Sequence, residues 1–232
     1  MDRNFARSLA LVLKYEGGWS DHPADPGGAT MKGVTLANFR RYVKADATKA
    51  DLRKITDAQV ATVYRRFYWD AVAGAELPDG VDFAVFDFAV NSGPSRAAKY
   101  LQAIVGTVQD GRIGPATVKA AKAKSATVII AGLCDARLDF LKRLNTWGTF
   151  GKGWSARVSS VRFHALVMAK QPEPIIIPQT APDKPSVVVV TQQGNEPPVV
   201  TKVPPAPSNR WTGLIAMIAV IAAAIAAFFG WR

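Results

Sequence analysis

Glu16-Gly17-Gly18-Trp19-Ser20-Asp21-His22-Pro23-Ala24-Asp25-Pro26-Gly27-Gly28-Ala29-Thr30-Met31-Lys32-Gly33-Val34-Thr35 opens on an acid and continues with five glycines and two prolines. That density of glycine and proline rules out a regular helix and disfavours a strand, so the stretch reads as a shaped loop. Just upstream, Phe5, Leu9, Val12 and Glu16 fall at i, i+4, i+7 and i+11. They mark one face of a helix over residues 4–16, which Gly17 and Gly18 stop. Glu16 therefore extends an apolar face. Partial desolvation there disfavours its charged form. The negative end of the helix dipole adds about 0.3–1 kcal/mol in the same direction. A carboxyl group that keeps its proton near neutrality can donate it to a glycosidic oxygen.

The loop offers partners for such an acid. Asp25 is the candidate second carboxylate, holding a water or stabilising positive charge at an anomeric carbon. Thr30 is a candidate for positioning that water, and Ser20 or Thr35 are alternatives. Asp21 and Asp25 are also ordinary Asx-turn formers, Asp25 standing directly before Pro26. Candidate substrate contacts are Trp19, Ser20, Thr35, Tyr68 and Asn91, with the aromatic rings offering flat faces for sugars. His22 lies between Asp21 and Asp25, but the only other histidine is His164, so no metal-binding motif exists and neither metal nor cofactor is predicted.

Outward from the loop, the chain reads as helices. Thr35 and Thr56 are N-cap residues for helices to about Val43 and from Asp57 to about Ala73. Further helices are predicted over 79–92, 95–105, 126–145 and 155–169, with one starting at Pro115. Trp147-Gly148-Thr149-Phe150-Gly151-Lys152-Gly153-Trp154 reads as a Gly-aromatic loop. No period-2 pattern marks a strand in residues 1–170, so the fold class is all-α, mainly helical.

From 171 to 209 the composition shifts: ten of the fifteen prolines fall here, which predicts an extended linker without a core of its own. Trp211 to Trp231 carries no charge, is flanked by Arg210 and Arg232, and has the length of a bilayer-spanning helix. The predicted anchor is this single C-terminal transmembrane helix. Residues 1–15 do not read as a secretory leader, because Arg7 and Lys14 interrupt the apolar residues. Cys134 is the only cysteine and shares a helical face with Ile130, Leu138 and Leu141, a buried apolar position.

The formal charge is +11, and residues 1–170 hold 25 of the 29 basic and 15 of the 18 acidic side chains. Such a surface favours polyanions: wall polymers, anionic lipid or nucleic acid. The basic residues are scattered rather than run together, which argues against nucleic acid as a partner.

The run Glu16–Trp19 followed by Asp25-Pro26-Gly27-Gly28-Ala29-Thr30-Met31-Lys32-Gly33-Val34-Thr35 resembles the signature of glycoside hydrolase family 108, muramidases found as phage endolysins and as wall-opening enzymes of secretion systems. Phe86-Asp87-Phe88-Ala89-Val90-Asn91-Ser92-Gly93-Pro94 and Leu101-Gln102 resemble the start of the peptidoglycan-binding module that accompanies this family. Asp110-Gly111-Arg112-Ile113-Gly114-Pro115-Ala116-Thr117 is similar to a turn shared by wall-binding helical modules. The resemblance implies a lysozyme-like fold and cleavage of the β-1,4 bond from N-acetylmuramic acid to N-acetylglucosamine, with the catalytic glutamate at Glu16. The Glu16, Asp25, Thr30 spacing is similar to the Glu–Asp–Thr set of phage-type lysozymes, one residue shorter between Asp and Thr. The implied organisation is a catalytic domain over 1–80, a helical peptidoglycan-binding module over 81–170 packed on it, the linker over 171–209 and the membrane helix over 210–232. Peptidoglycan is the implied substrate, a holin a candidate partner, and the bacterial inner membrane the expected location, with the enzyme acting on the periplasmic wall. The competing readings are lytic transglycosylation by Glu16 alone and a non-catalytic, membrane-tethered wall-binding protein.

Overall fold

The computed structural model describes residues 3–22 and 28–170. The predicted linker and membrane helix, and Asp25, lie outside the described residues. Within them the chain forms helices α1 (Phe5–Val12), α2 (Leu36–Tyr42), α3 (Lys49–Arg53), α4 (Asp57–Tyr64), α5 (Val81–Ser92), α6 (Pro94–Val105), α7 (Pro115–Ala123), α8 (Ala126–Lys142) and α9 (Trp147–Ala169). A two-stranded antiparallel hairpin, β1 (Thr30–Met31) and β2 (Val34–Thr35), interrupts them.

α5 organises the rest. Every residue from Val81 to Asn91 is buried, so this helix has no solvent face. Its sequence carries no polar stripe to offer one; Phe83, Phe86 and Phe88 project around its circumference. A helix apolar all round must be covered on all sides, and α1, α6, α8 and α9 supply the cover. The resulting hydrophobic cluster runs without a break from Leu9 on α1 to Met168 on α9. It therefore crosses residue 80, the expected boundary between catalytic part and wall-binding module.

Local signals set most helix ends. Thr35 accepts a hydrogen bond from the Asn38 amide and starts α2. Thr56 forms a capping box with Gln59 at α4, and Thr48 does the same with Asp51 at α3, a short helix absent from the sequence reading. Pro115 takes the first turn of α7. The N-terminus is fixed to the start of α5 by Asn4, whose side-chain amide donates to Asp79 and Asp82.

Four expectations are corrected. α1 ends at Val12, a 3-10 turn follows over Leu13–Tyr15, and Glu16 has extended backbone (φ −94°, ψ 142°). Glu16 thus lies just beyond the helix, and the dipole argument loses weight. α4 stops at Tyr64 and continues as a π-helical turn over Arg65–Trp69, then a 3-10 turn over Asp70–Val72. The loop after Glu16 is not strand-free: Met31 pairs with Val34 and Thr30 with Thr35 across a two-residue turn. Ser20 and Thr30 exchange backbone hydrogen bonds of 2.8 and 2.9 Å, which adds the Gly18–Asp21 arm to the hairpin edge. Strands of two residues are too short to display a period of two.

The fourth correction is at Trp147–Trp154, which is the first two turns of α9. Glycine there serves packing. A Cβ on Gly151 would lie 2.6 Å from the Trp147 ring, one turn earlier, whereas one on Gly148 would meet nothing within 4 Å. In an exposed helix, Gly to Ala gains up to about 1 kcal/mol; overpacking costs about 1–3 kcal/mol. Gly148→Ala should therefore raise the thermal unfolding midpoint and Gly151→Ala should lower it, as followed by circular dichroism.

Candidate active site

The site forms where the end of α1, the hairpin, α4 with its π turn, α5 and α9 meet. Extended backbone at Glu16 turns its side chain inward, leaving 9% of it exposed. The hairpin turn closes over it. Lys32 (φ 49°) and Gly33 (φ 73°) both have left-handed backbone, the geometry of a type I′ turn. Gly33 is required twice. Its positive φ favours glycine, and a Cβ would lie 2.1 Å from the Tyr64 hydroxyl and 2.9 Å from Glu16 Oε2. The turn is pinned from below: Tyr64 donates to the Lys32 carbonyl at 3.0 Å, and Lys32 Nζ binds Asp57 at 2.7 Å.

Behind Glu16 stands a cluster of buried charges. Arg157 on α9 donates from Nη1 to Glu16 Oε1 at 3.2 Å. The same guanidinium donates from Nε to both oxygens of Asp87 at 3.1 Å and from Nη2 to Oδ2 at 2.9 Å. Arg137 on α8 donates to Asp87 Oδ1 at 2.7 Å. Asp87, Arg137 and Arg157 are each no more than 3% exposed.

Burial raises the proton affinity of Glu16, Arg157 opposes it, and the Asp87 charge reinforces it; the net direction is upward from 4.5. Burial also acts on Asp87, but its two guanidiniums prevail and hold it below the usual carboxylate range. Tyr64 and Tyr68 are raised, by burial first and by the Glu16 charge second, and remain neutral donors. The two carboxyl groups are thus pushed in opposite directions, Glu16 up and Asp87 down, within a single hydrogen-bonded cluster.

The remaining predicted residues take varied positions. Tyr68 packs on Tyr64 and Phe67 (ring centroids 5.5 and 4.6 Å) and lies within electrostatic range of Glu16. Thr30 is buried, and its hydroxyl donates to the Gly28 carbonyl at 3.1 Å. Thr35 spends its hydroxyl on the α2 cap. Trp19 is half-buried with the Arg53 guanidinium 4.3 Å from the centre of its ring. Asp21 binds Lys49 at 3.0 Å. Asn91 is buried one turn beyond Asp87 and accepts from the Ser92 hydroxyl at 3.2 Å. Arg157, Asp87, Arg137 and Tyr64 were not singled out from sequence. The available signal was a charge on an otherwise apolar helical face: Asp87 between Phe86 and Phe88, and Arg137 in line with Ile130, Cys134 and Leu141.

A mainly helical fold that buries one carboxyl group of raised proton affinity beside a polar hairpin offers an acid suited to glycosidic chemistry. The family model for glycosyl hydrolase 108 matches residues 9–93. The structure of Brucella abortus SagA is similar over 74% of this chain and 98% of its own, at 47% identity and a TM-score of 0.66. No curated protein matches the chain. The chain belongs to glycosyl hydrolase family 108, a family of peptidoglycan-degrading glycosidases.

The raised proton affinity of Glu16 fixes a sign for stability. Below about pH 4.5 the group is protonated folded and unfolded alike. As pH rises, the unfolded chain releases its proton first, and folding stability falls until the folded group also titrates. Relative to wild type, Glu16→Gln should gain stability as pH increases above 4.5 and then level off, measured by urea unfolding from pH 4 to pH 8.

Proposed function

We propose that this enzyme is an N-acetylmuramidase that cleaves the β-1,4 bond between N-acetylmuramic acid and N-acetylglucosamine, with Glu16 as general acid. The observation that carries the reading is the burial of Glu16 beneath Gly33, which favours its protonated form against the opposing charge of Arg157. Glu16 stands at the head of the motif on which the family resemblance rests. Its proton passes to the glycosidic oxygen as the bond to the anomeric carbon breaks. Asp25 serves as the second carboxylate, holding the water or stabilising the developing positive charge, and Thr30 positions the water. Trp19, Ser20, Thr35, Tyr68 and Asn91 contact the glycan.

Lytic transglycosylation is the second reading. It needs one acid and no activated water. Of the other described carboxylates, Asp21 binds Lys49 and Asp87 binds two arginines, so neither is free to activate a water. Product masses separate the readings: reducing ends mark hydrolysis and anhydro-muramic ends mark transglycosylation.

The setting belongs to the proposal as well. Residues 211–231 anchor the enzyme in the bacterial inner membrane, and the Pro-rich stretch lets the catalytic part reach the wall in the periplasm. Among the described residues no helix is long and apolar enough to cross a membrane. The excess of basic residues draws the enzyme to anionic wall and lipid. The biological role is phage lysis, with a holin as the partner that opens the route to the wall.

Digestion of purified peptidoglycan with mass readout tests the assignment. Glu16→Gln should reduce sugar release by at least about a hundredfold while the fold persists, since general-acid catalysis contributes about 10²–10⁴. Asp25→Asn should impair release less completely. Undiminished turnover by Glu16→Gln would sink the assignment.

A further inference from the structure

Arg157 touches Glu16, yet its geometry is devoted to Asp87. Three of its four described hydrogen bonds to acids go to Asp87, through Nε and Nη2, the planar fork that matches a carboxylate. Glu16 receives one bond from Nη1 at 3.2 Å, long for an ionised pair. Asp87 is in turn shared with Arg137. With Glu16 ionised, the four side chains sum to zero charge; with Glu16 protonated, they carry one excess positive charge.

Arg137 sharpens the point. Its Nε and Nη2 are buried without hydrogen-bond partners. For packing alone, apolar side chains in place of Asp87 and both arginines together would serve as well, since buried ion pairs seldom stabilise more than well-packed hydrophobes. What Arg137 contributes is charge, delivered to Asp87.

We propose that Asp87 is a positioning residue for glycosidic cleavage: by occupying the fork of Arg157 it leaves Glu16 a single bond from that guanidinium, and it holds the cation in place for the carboxylate that forms when the Glu16 proton departs. This rests on Glu16 being the general acid. In the step, the bond between anomeric carbon and oxygen breaks and its electron pair leaves on the oxygen. That oxygen takes the Glu16 proton, water adds to the anomeric carbon, and the proton the water releases restores the Glu16 carboxyl group. Arg157 binds Oε1, so the proton belongs on Oε2, the oxygen beside Gly33. The negative charge appearing on Glu16 then meets a guanidinium that needs no reorganisation, which is how fixed charges favour a transition state over a ground state.

The charged and titratable groups that face Glu16 among the described residues are Arg157 from α9, Asp87 from α5, Tyr64 from α4 and Tyr68 from the π turn. Tyr15, below the Arg157 guanidinium, completes the set. Burial keeps Tyr64 and Tyr68 neutral, and two arginines keep Asp87 ionised. Glu16 is left to set the basic limb of activity.

The test is the pH dependence of kcat/KM on purified peptidoglycan for the full chain, in which the basic limb reports the free-enzyme acid. Asp87→Asn turns Arg157 wholly onto Glu16, and the limb should move about one pH unit towards acid. Arg157→Gln should move it towards alkali, and Arg157→Lys should bring it back. Arg137→Met removes one cation without touching Glu16 and should also move the limb towards alkali, so it decides the matter if Asp87→Asn does not fold. Limbs that coincide with wild type across the folded variants overturn the proposal. Failure of the general-acid reading looks different: Glu16→Gln would itself remain active.

Discussion

A carboxylate in the middle of a helix that has no solvent face must be met by cations from its neighbours. Asp87 on α5 is that carboxylate, and Arg137 on α8 and Arg157 on α9 are those cations. Losing one partner of such a buried pair costs about 3–5 kcal/mol, because the other charge is left uncompensated. Packing of α5 against α8 and α9 is therefore tied to charge pairing as well as to apolar burial. Because Arg157 also reaches Glu16, the interaction that locks the core is continuous with the candidate site. Fold and chemistry share a guanidinium.

The hairpin answers to the same point in space. Its turn needs left-handed backbone at Lys32 and Gly33, and its position needs an absent side chain at Gly33. A glycine that began as punctuation in a loop is one wall of the site. The π turn after α4 works from the opposite side. The extra residue per turn advances Tyr68 and Trp69 relative to a regular helix, and Trp69 is fully buried while Tyr68 stays partly open beside Tyr64.

What could be read from sequence follows the range of the forces involved. Thr35, Thr56 and Pro115 act within three residues of themselves, and their helices begin where the sequence places them. The apolar face of Phe5, Leu9 and Val12 is local too, and it leads to Glu16 even though the helix unwinds before reaching it. Gly151 of α9 misled because its reason is the Trp147 ring, a packing fact invisible to propensity. The arginines behind Glu16 were hidden by distance: Arg157 is 141 positions away in the chain. A lone basic residue within a helix announces nothing until the opposing acid is known.

That separation has a consequence for how the enzyme comes into being. The stretch matched by the family model closes at residue 93, before either arginine has been added. A chain emerging from a ribosome holds Glu16 and the hairpin early, but the cover of α5 is incomplete and Asp87 lacks the Arg157 fork until α9 has followed. Assembly of the site is thus a late event in synthesis, coincident with closure of the core. In an enzyme built this way the contact between Arg157 and Glu16 is among the last to form, because it waits for the last described helix to be synthesised.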